Sequence, residues 1–165
     1  MRRNLPLLLL TVRTQIRSSF MPTFRRHRVT EQQWRVIRML NEQREMGMGK
    51  LADACLILRP SIVGIIARME ELGLVRRRAD GRDKRRAQIS LTPKGQALVD
   101  KIVPILSEIY QQLEVTLGKS TLDQLYLILD DVSARLSAHE AGKKTRKTAR
   151  PRGKVAADAH RMDQA

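Results

Sequence analysis

The residues able to do chemistry in this chain are mostly cations, gathered in two places. The first is Arg59-Pro60-Ser61, followed by Gly64 and Arg68. At helical spacing Ser61, Gly64 and Arg68 share one face. Small and short polar groups there let base edges come close, while Arg59 and Arg68 can reach phosphates or a guanine edge. The second is Arg82-Asp83-Lys84-Arg85-Arg86, four cations in five residues with only Asp80 and Asp83 to offset them. Such crowding is tolerable when phosphates or a narrow minor groove receive the charge. Asp83 can also orient Arg85 through a salt bridge. Against these clusters stand three scattered histidines, His27, His139 and His160. No metal-ligand spacing, phosphate loop or dinucleotide motif appears. The expectation is therefore no catalytic residue, no metal, no cofactor and no enzymatic activity.

The whole composition agrees with a polyanion partner. Lys and Arg number 32 against 17 Asp and Glu, a net charge of +15. Residues 140–165 hold eight basic and three acidic residues, which leaves +10 on residues 1–139. The excess thus belongs mainly to the body of the protein, and it draws DNA, RNA or an anionic surface. Hydrophobic residues make up 42% but aromatics only 3%. The core must be built from Leu, Ile, Val, Met and Ala, which favours helices. A length of 165 residues suits one domain with extensions. A single cysteine, Cys55, excludes an intrachain disulfide and fits a reducing cytoplasm. It falls on the apolar side of a short helix, where a buried, inert thiol is expected rather than a redox sensor. Arg2 and Arg3 before the apolar run Leu5 to Val12 imitate the start of a signal peptide. The run is short and Arg13 and Arg17 follow at once, so an amphipathic helix is expected instead, and no segment is long enough to span a membrane.

The elements that must position the two cationic clusters can be read along the chain. Residues 5–27 predict a helix that Pro22 should kink or divide. Thr30 with Gln33 fits a capping box opening a helix to about Arg44, with Trp34, Ile37 and Leu40 on one face. Glu45 to Gly49 breaks the pattern. Lys50 to Leu58 reads as a short helix with Leu51, Ala54 and Cys55 or Leu58 inward. Pro60 then suits the first turn of a helix whose apolar stripe is Ile62, Ile65, Ile66, Met69 and Leu72, ended by Gly73. The period next changes to two, with strands at residues 74–78 and 85–91 around a charged turn at 79–84. Thr92-Pro93 starts a helix to about Leu117, bent at Pro104, and Ser120 starts a last one through about Ala138. Residues 139–165 lose all periodicity and predict a basic disordered tail. The predicted fold class is mainly α: a winged helix-turn-helix with a β-hairpin wing, plus extra N- and C-terminal helices forming a dimerisation region.

Three stretches resemble the MarR family of winged-helix regulators: Val29-Thr30-Glu31-Gln32-Gln33-Trp34-Arg35-Val36, Leu58-Arg59-Pro60-Ser61 through Leu74-Val75, and Asp83-Lys84-Arg85 through Ile89-Ser90-Leu91-Thr92. The third fits the family's wing pattern, Asp-x-Arg followed by a strand and Leu-Thr. The likeness spans about residues 5–138, with 30–92 as the DNA-binding winged helix and 5–27 and 93–138 as dimerisation helices. "TEQQWRVIRML", "ACLILRPSIVGIIARMEELGLV" and "ISLTPKGQALV" are similar to a branch of the family that governs homoprotocatechuate degradation.

The resemblance implies a homodimer on a pseudo-palindromic duplex operator, with Arg85 as the wing arginine entering the minor groove. It further implies repression of an aromatic-acid catabolic operon in the cytoplasm, at the nucleoid. A small aromatic carboxylate, such as a hydroxyphenylacetate or a hydroxynicotinate, would relieve it from a site between the reading lobe and the dimerisation helices. The residues suited to hold that effector are Arg13, Arg17, Phe20, Trp34 and Arg38. An equal alternative is that Trp34 is core and the arginines meet DNA or solvent. A different class of function also fits the charge: an architectural or RNA-binding protein without sequence choice.

Overall fold

The computed structural model describes residues 3–80 and 83–148, with side chains except at 79–80, 83–86 and 144–148. The elements run α1 (Leu5–Arg26), α2 (Glu31–Gln43), β1 (Glu45–Gly47), α3 (Met48–Ala54), α4 (Arg59–Glu71), β2 (Val75–Asp80), β3 (Asp83–Leu91), α5 (Pro93–Leu117) and α6 (Lys119–Thr148). Residues through Thr116 form one compact unit and those from Leu117 a second.

Local chemistry sets most boundaries in the first unit. The Asn4 side chain accepts from the Leu7 amide and starts α1. That helix passes through Pro22 as one element and is not divided there. The Thr30–Gln33 capping box forms in both directions, at 3.1 and 2.9 Å. Met48–Ala54 is shorter than the expected 50–58 helix; Leu51, Ala52 and Cys55 are buried, whereas Ala54 and Leu58 face out. The helix ends too early for Leu58 to share its inner face, and Ile57 takes that place in the core. At the end of α4, Gly73 adopts φ +68 while its amide bonds Glu70 O and the Leu74 amide bonds Met69 O. This is the doubly bonded helix stop that glycine favours. The start of α5 is tied to the same place, because Thr92 Oγ1 donates to Gly73 O and Lys94 Nζ to Leu72 O.

The wing is larger than alternation alone predicts. Strands β2 and β3 pair antiparallel from Val75↔Leu91 to Asp80↔Asp83, with an irregularity after Arg78. Residues 81–82 at the tip lie outside the described residues. A third strand, β1, occupies the place that reads only as a break: Glu45↔Ser90, Met46↔Ile89 and Gly47↔Gln88, for a sheet order β1-β3-β2. Three residues containing a glycine carry no periodic signal; the strand exists because β3 offers a free edge to pair with.

One cluster of buried residues unites the reading lobe. Ile62, Ile66 and Met69 of α4 pack with Val36, Ile37 and Leu40 of α2, Leu51 of α3, Ile89 of β3 and Ile102 of α5, all essentially solvent-free. In the second unit α6 continues ten residues past the expected end at Ala138, to Thr148, so 139–148 is helix and not tail. Its Ala, Glu, Lys and Arg residues are good helix formers, and propensity extends the helix where no apolar stripe does. Residues 149–165, the rest of the expected disordered tail, lie outside the described residues.

Candidate nucleic-acid interface and effector region

The outer face of α4 carries the expected small and cationic groups. Arg59, Pro60, Ser61, Gly64 and Arg68 are all exposed, opposite the buried Ile62, Ile66 and Met69. Gly64 has no internal reason to be glycine, since a Cβ there would meet nothing within 4 Å. The helix nevertheless bears the cost of a mid-helix glycine, about 1 kcal/mol relative to alanine. The two cations are lightly held. Arg59 donates to Asp53 at 3.0 Å and Arg68 to Glu71 at 2.7 Å, with every partner well exposed. Solvent-exposed pairs of this kind contribute little, and a phosphate can replace the carboxylate.

The wing supplies a second cationic surface next to α4. Arg77 is tied to Glu70 of α4 at 2.8 Å, and Arg76 bonds Ser90 Oγ across the hairpin. Of the expected tip residues, Arg82 lies outside the described residues. Asp83, Lys84 and Arg85 open β3, with their side chains, and so the expected Asp83–Arg85 pair, outside the described residues too.

The five residues expected at an effector site separate into three places. Arg13 and Arg17 of α1 both donate to Glu31, the first residue of α2, on its two different oxygens. Burial works to raise the Glu31 pKa; the Arg17 hydrogen bond and the charges of Arg17, Arg13 and Arg35 outweigh it, and the carboxyl sits below its ordinary value. The fork therefore already holds a carboxylate. Trp34 is core: it is buried and packs on Phe24 with centroids 6.0 Å apart. Phe20 and Arg38, by contrast, converge on one residue that the sequence did not single out. Tyr110 of α5 lies 5.2 Å from the Phe20 ring centroid, and it is near enough to Arg38 for its hydroxyl to help hold the guanidinium charge, after the larger effect of Glu42. Arg38 also pairs with Glu42 at 3.0 Å and keeps an exposed guanidinium. An aromatic ring, a tilted phenol and a cation from α1, α5 and α2 thus meet at one spot. A groove beside it, between Ser19 of α1 and Glu108, Ile109, Gln112 and Leu113 of α5, offers a carboxylate and no cation.

Cys55 is buried and its backbone carbonyl accepts from Arg35 at 2.8 Å. Burial pushes the thiol pKa up in spite of the nearby Arg35 charge, which disfavours the reactive thiolate. Among the described residues no group of three His, Cys, Asp or Glu is placed to hold a metal, and no helix is long and apolar enough to cross a membrane.

The MarR family model matches residues 29–86, the segment from the start of α2 into the wing. The homoprotocatechuate degradative operon repressor of Escherichia coli is 40% identical over 134 residues, covering 81% of this chain and 90% of that protein. This chain belongs to the MarR family. Two solved structures carry the likeness over about four fifths of the chain. The transcriptional regulator PA4135 is 40% identical with a TM-score of 0.77, covering 81% of this chain and 98% of that one. NadR in complex with 4-hydroxyphenylacetate is 34% identical with a TM-score of 0.69, covering 82% and 93%. As a MarR-family member the chain is a winged-helix DNA-binding transcriptional regulator and not an enzyme, and it acts as a dimer, as the regulators of this family do.

Proposed function

We propose that this MarR-family chain represses an aromatic-acid catabolic operon and leaves its pseudo-palindromic operator when an aromatic carboxylate binds among Phe20, Arg38 and Tyr110. The observation that carries this reading is the convergence of those three side chains from α1, α2 and α5. Arg38 supplies a bidentate donor for a carboxylate, and the two rings supply a wall for an aromatic body. Two relatives support the chemistry: one is named for a homoprotocatechuate operon, and one was crystallised with 4-hydroxyphenylacetate. Arg13 and Arg17 serve the same site indirectly, by fixing α1 against α2 through Glu31. Trp34 backs it from the core.

DNA is read by the α4 face, through Arg59, Pro60, Ser61, Gly64 and Arg68, in the major groove. The wing cations Arg82, Lys84 and Arg85, with Asp83 orienting Arg85, flank it in the minor groove. The dimer is built from apolar surface left uncovered in this chain: Leu5, Leu7, Leu9 and Leu10 on α1, and Leu127, Ile128 and Leu136 on α6. The protein works on the chromosome in the cytoplasm, at the nucleoid.

The test is a gel shift on DNA from the protein's own promoter region, titrated with 4-hydroxyphenylacetate and with 6-hydroxynicotinate. Release by at least one acid is expected, together with its loss by about tenfold or more in Arg38→Ala, whose DNA affinity without ligand stays at the wild-type value. Unchanged release in Arg38→Ala overturns the site. Uniform coverage of DNA in a footprint, in place of two half-sites, would favour the architectural alternative.

A further inference from the structure

The turn between α3 and α4 places apolar residues at two positions whose local geometry favours glycine or a small polar residue. Helix α3 stops with the Leu56 amide bonded to Asp53 O and the Ile57 amide bonded to Ala52 O. That is the same doubly bonded stop that Gly73 makes after α4, but here the left-handed position, φ +50, is filled by Leu56. Glycine adopts that conformation freely and leucine does not. Arg28 and Arg44 also take positive φ, but both are exposed and carry a charged end that water solvates. Leu56 has no such compensation: it is 87% exposed.

Two residues later the pattern recurs. The residues that precede the other described helices are Asn4, Thr30, Gly47, Thr92 and Gly118, all types that suit a helix start. Before α4 stands Leu58, with no side-chain cap and 77% of its surface in water. Ile57 between them is buried, so the turn is anchored by one apolar residue and presents the other two outward. Neither leucine contributes to folding what a glycine or a serine would.

Both leucines lie at the entrance to the face of α4 that carries Arg59, Ser61 and Gly64. We propose that Leu56 and Leu58 are specificity residues that pack on thymine methyl groups in the operator's major groove. Charge places this surface against DNA, and the C5-methyl of thymine is the apolar group that a base edge presents there. Arg59, between the leucines and the helix body, holds the phosphate at the groove's rim, and the leucines reach past it. The inference rests on DNA reading by α4.

The probe is a duplex selected from a random pool by the wild-type protein, and the same duplex with deoxyuridine in place of every half-site thymine, which deletes only the methyl groups. Wild type should lose about fivefold or more in affinity on the deoxyuridine duplex, the loss expected for one or two buried methyl contacts. Leu56→Gly and Leu56→Gly/Leu58→Ser should bind the thymine duplex more weakly, show little or no further loss on deoxyuridine, and melt at about 3 °C higher temperature than wild type. The inference is overturned if the variants keep the full deoxyuridine penalty, if they bind as wild type does, if selected half-sites lack thymine, or if the variants shift the monomer–dimer balance instead, which would make the leucines a protein contact. Failure of the wild type to select any sequence would sink the DNA-reading assignment itself, a result separable from all of these.

Discussion

Two helical glycines, Gly95 in the first turn of α5 and Gly64 on the outer face of α4, look alike in the sequence and differ completely in their surroundings. A Cβ at Gly95 would lie 2.1 Å from Leu74 O and 3.2 Å from the Leu91 side chain. A Cβ at Gly64 would touch nothing. Gly95 is demanded from within, because the first turn of α5 lies at backbone contact with Leu74, just past the end of α4. Nothing within the chain demands a glycine at Gly64. The difference separates residues that maintain the fold from residues the fold does not need, those proposed to read DNA, and it extends to charge. Arg13 and Arg17 grip a half-buried Glu31 between two helices, whereas Arg59 and Arg68 rest on exposed carboxylates within or beside their own helix.

The comparison is broken most forcefully at Gly95. Gly95→Ala should destabilise by about 3 kcal/mol, because a backbone carbonyl has no rotamer by which to yield. Chemical denaturation measures this, and a change below about 1 kcal/mol would show that α5 can slide. Gly64→Ala should do the reverse, with stability rising by up to about 1 kcal/mol while operator affinity falls by about tenfold. Equal DNA binding in a gel shift would remove Gly64 from the reading face. The smallest effect concerns Glu31. Its folded pKa lies below the ordinary value of 4.5, so the unfolded chain takes up a proton first as pH falls. The Glu31 contribution is fully present above that ordinary value and is lost as pH drops below it through the folded pKa. Glu31→Gln should therefore flatten the acid limb of a stability–pH curve and leave neutral-pH DNA binding unchanged.

How much of this could be read from the chain alone follows the range of the signals. Caps and stops at Thr30, Gly73 and Thr92 act within a few residues, and they gave α2, α4 and α5 their boundaries. The outer face of α4 was legible for the same reason, since Ser61, Gly64 and Arg68 fall on one side by helical spacing. Strand β1 was not, because its only warrant is pairing with Ser90, Ile89 and Gln88 some forty residues away. Tyr110 was missed likewise: nothing near it in sequence announces Phe20 or Arg38. Glu31 was seen as part of a helix start, and its second role as the carboxylate between Arg13 and Arg17 depends on how α1 lies on α2. The basic residues of 139–148 looked like tail because they lack an apolar stripe, although helix propensity alone continues α6 through them.

The short strand β1 has a mechanical consequence. Helix α2, which carries Arg38, ends at Gln43, and after Arg44 the chain enters β1 directly, already paired to β3. The far end of β3 bears the wing tip. Only Arg44 separates α2, where the proposed effector site lies, from the strand paired to the wing. A displacement of α2, such as the proposed effector would impose, must either haul β3 along with it or tear three residue pairs, so the small strand works as a drawbar between α2 and the wing.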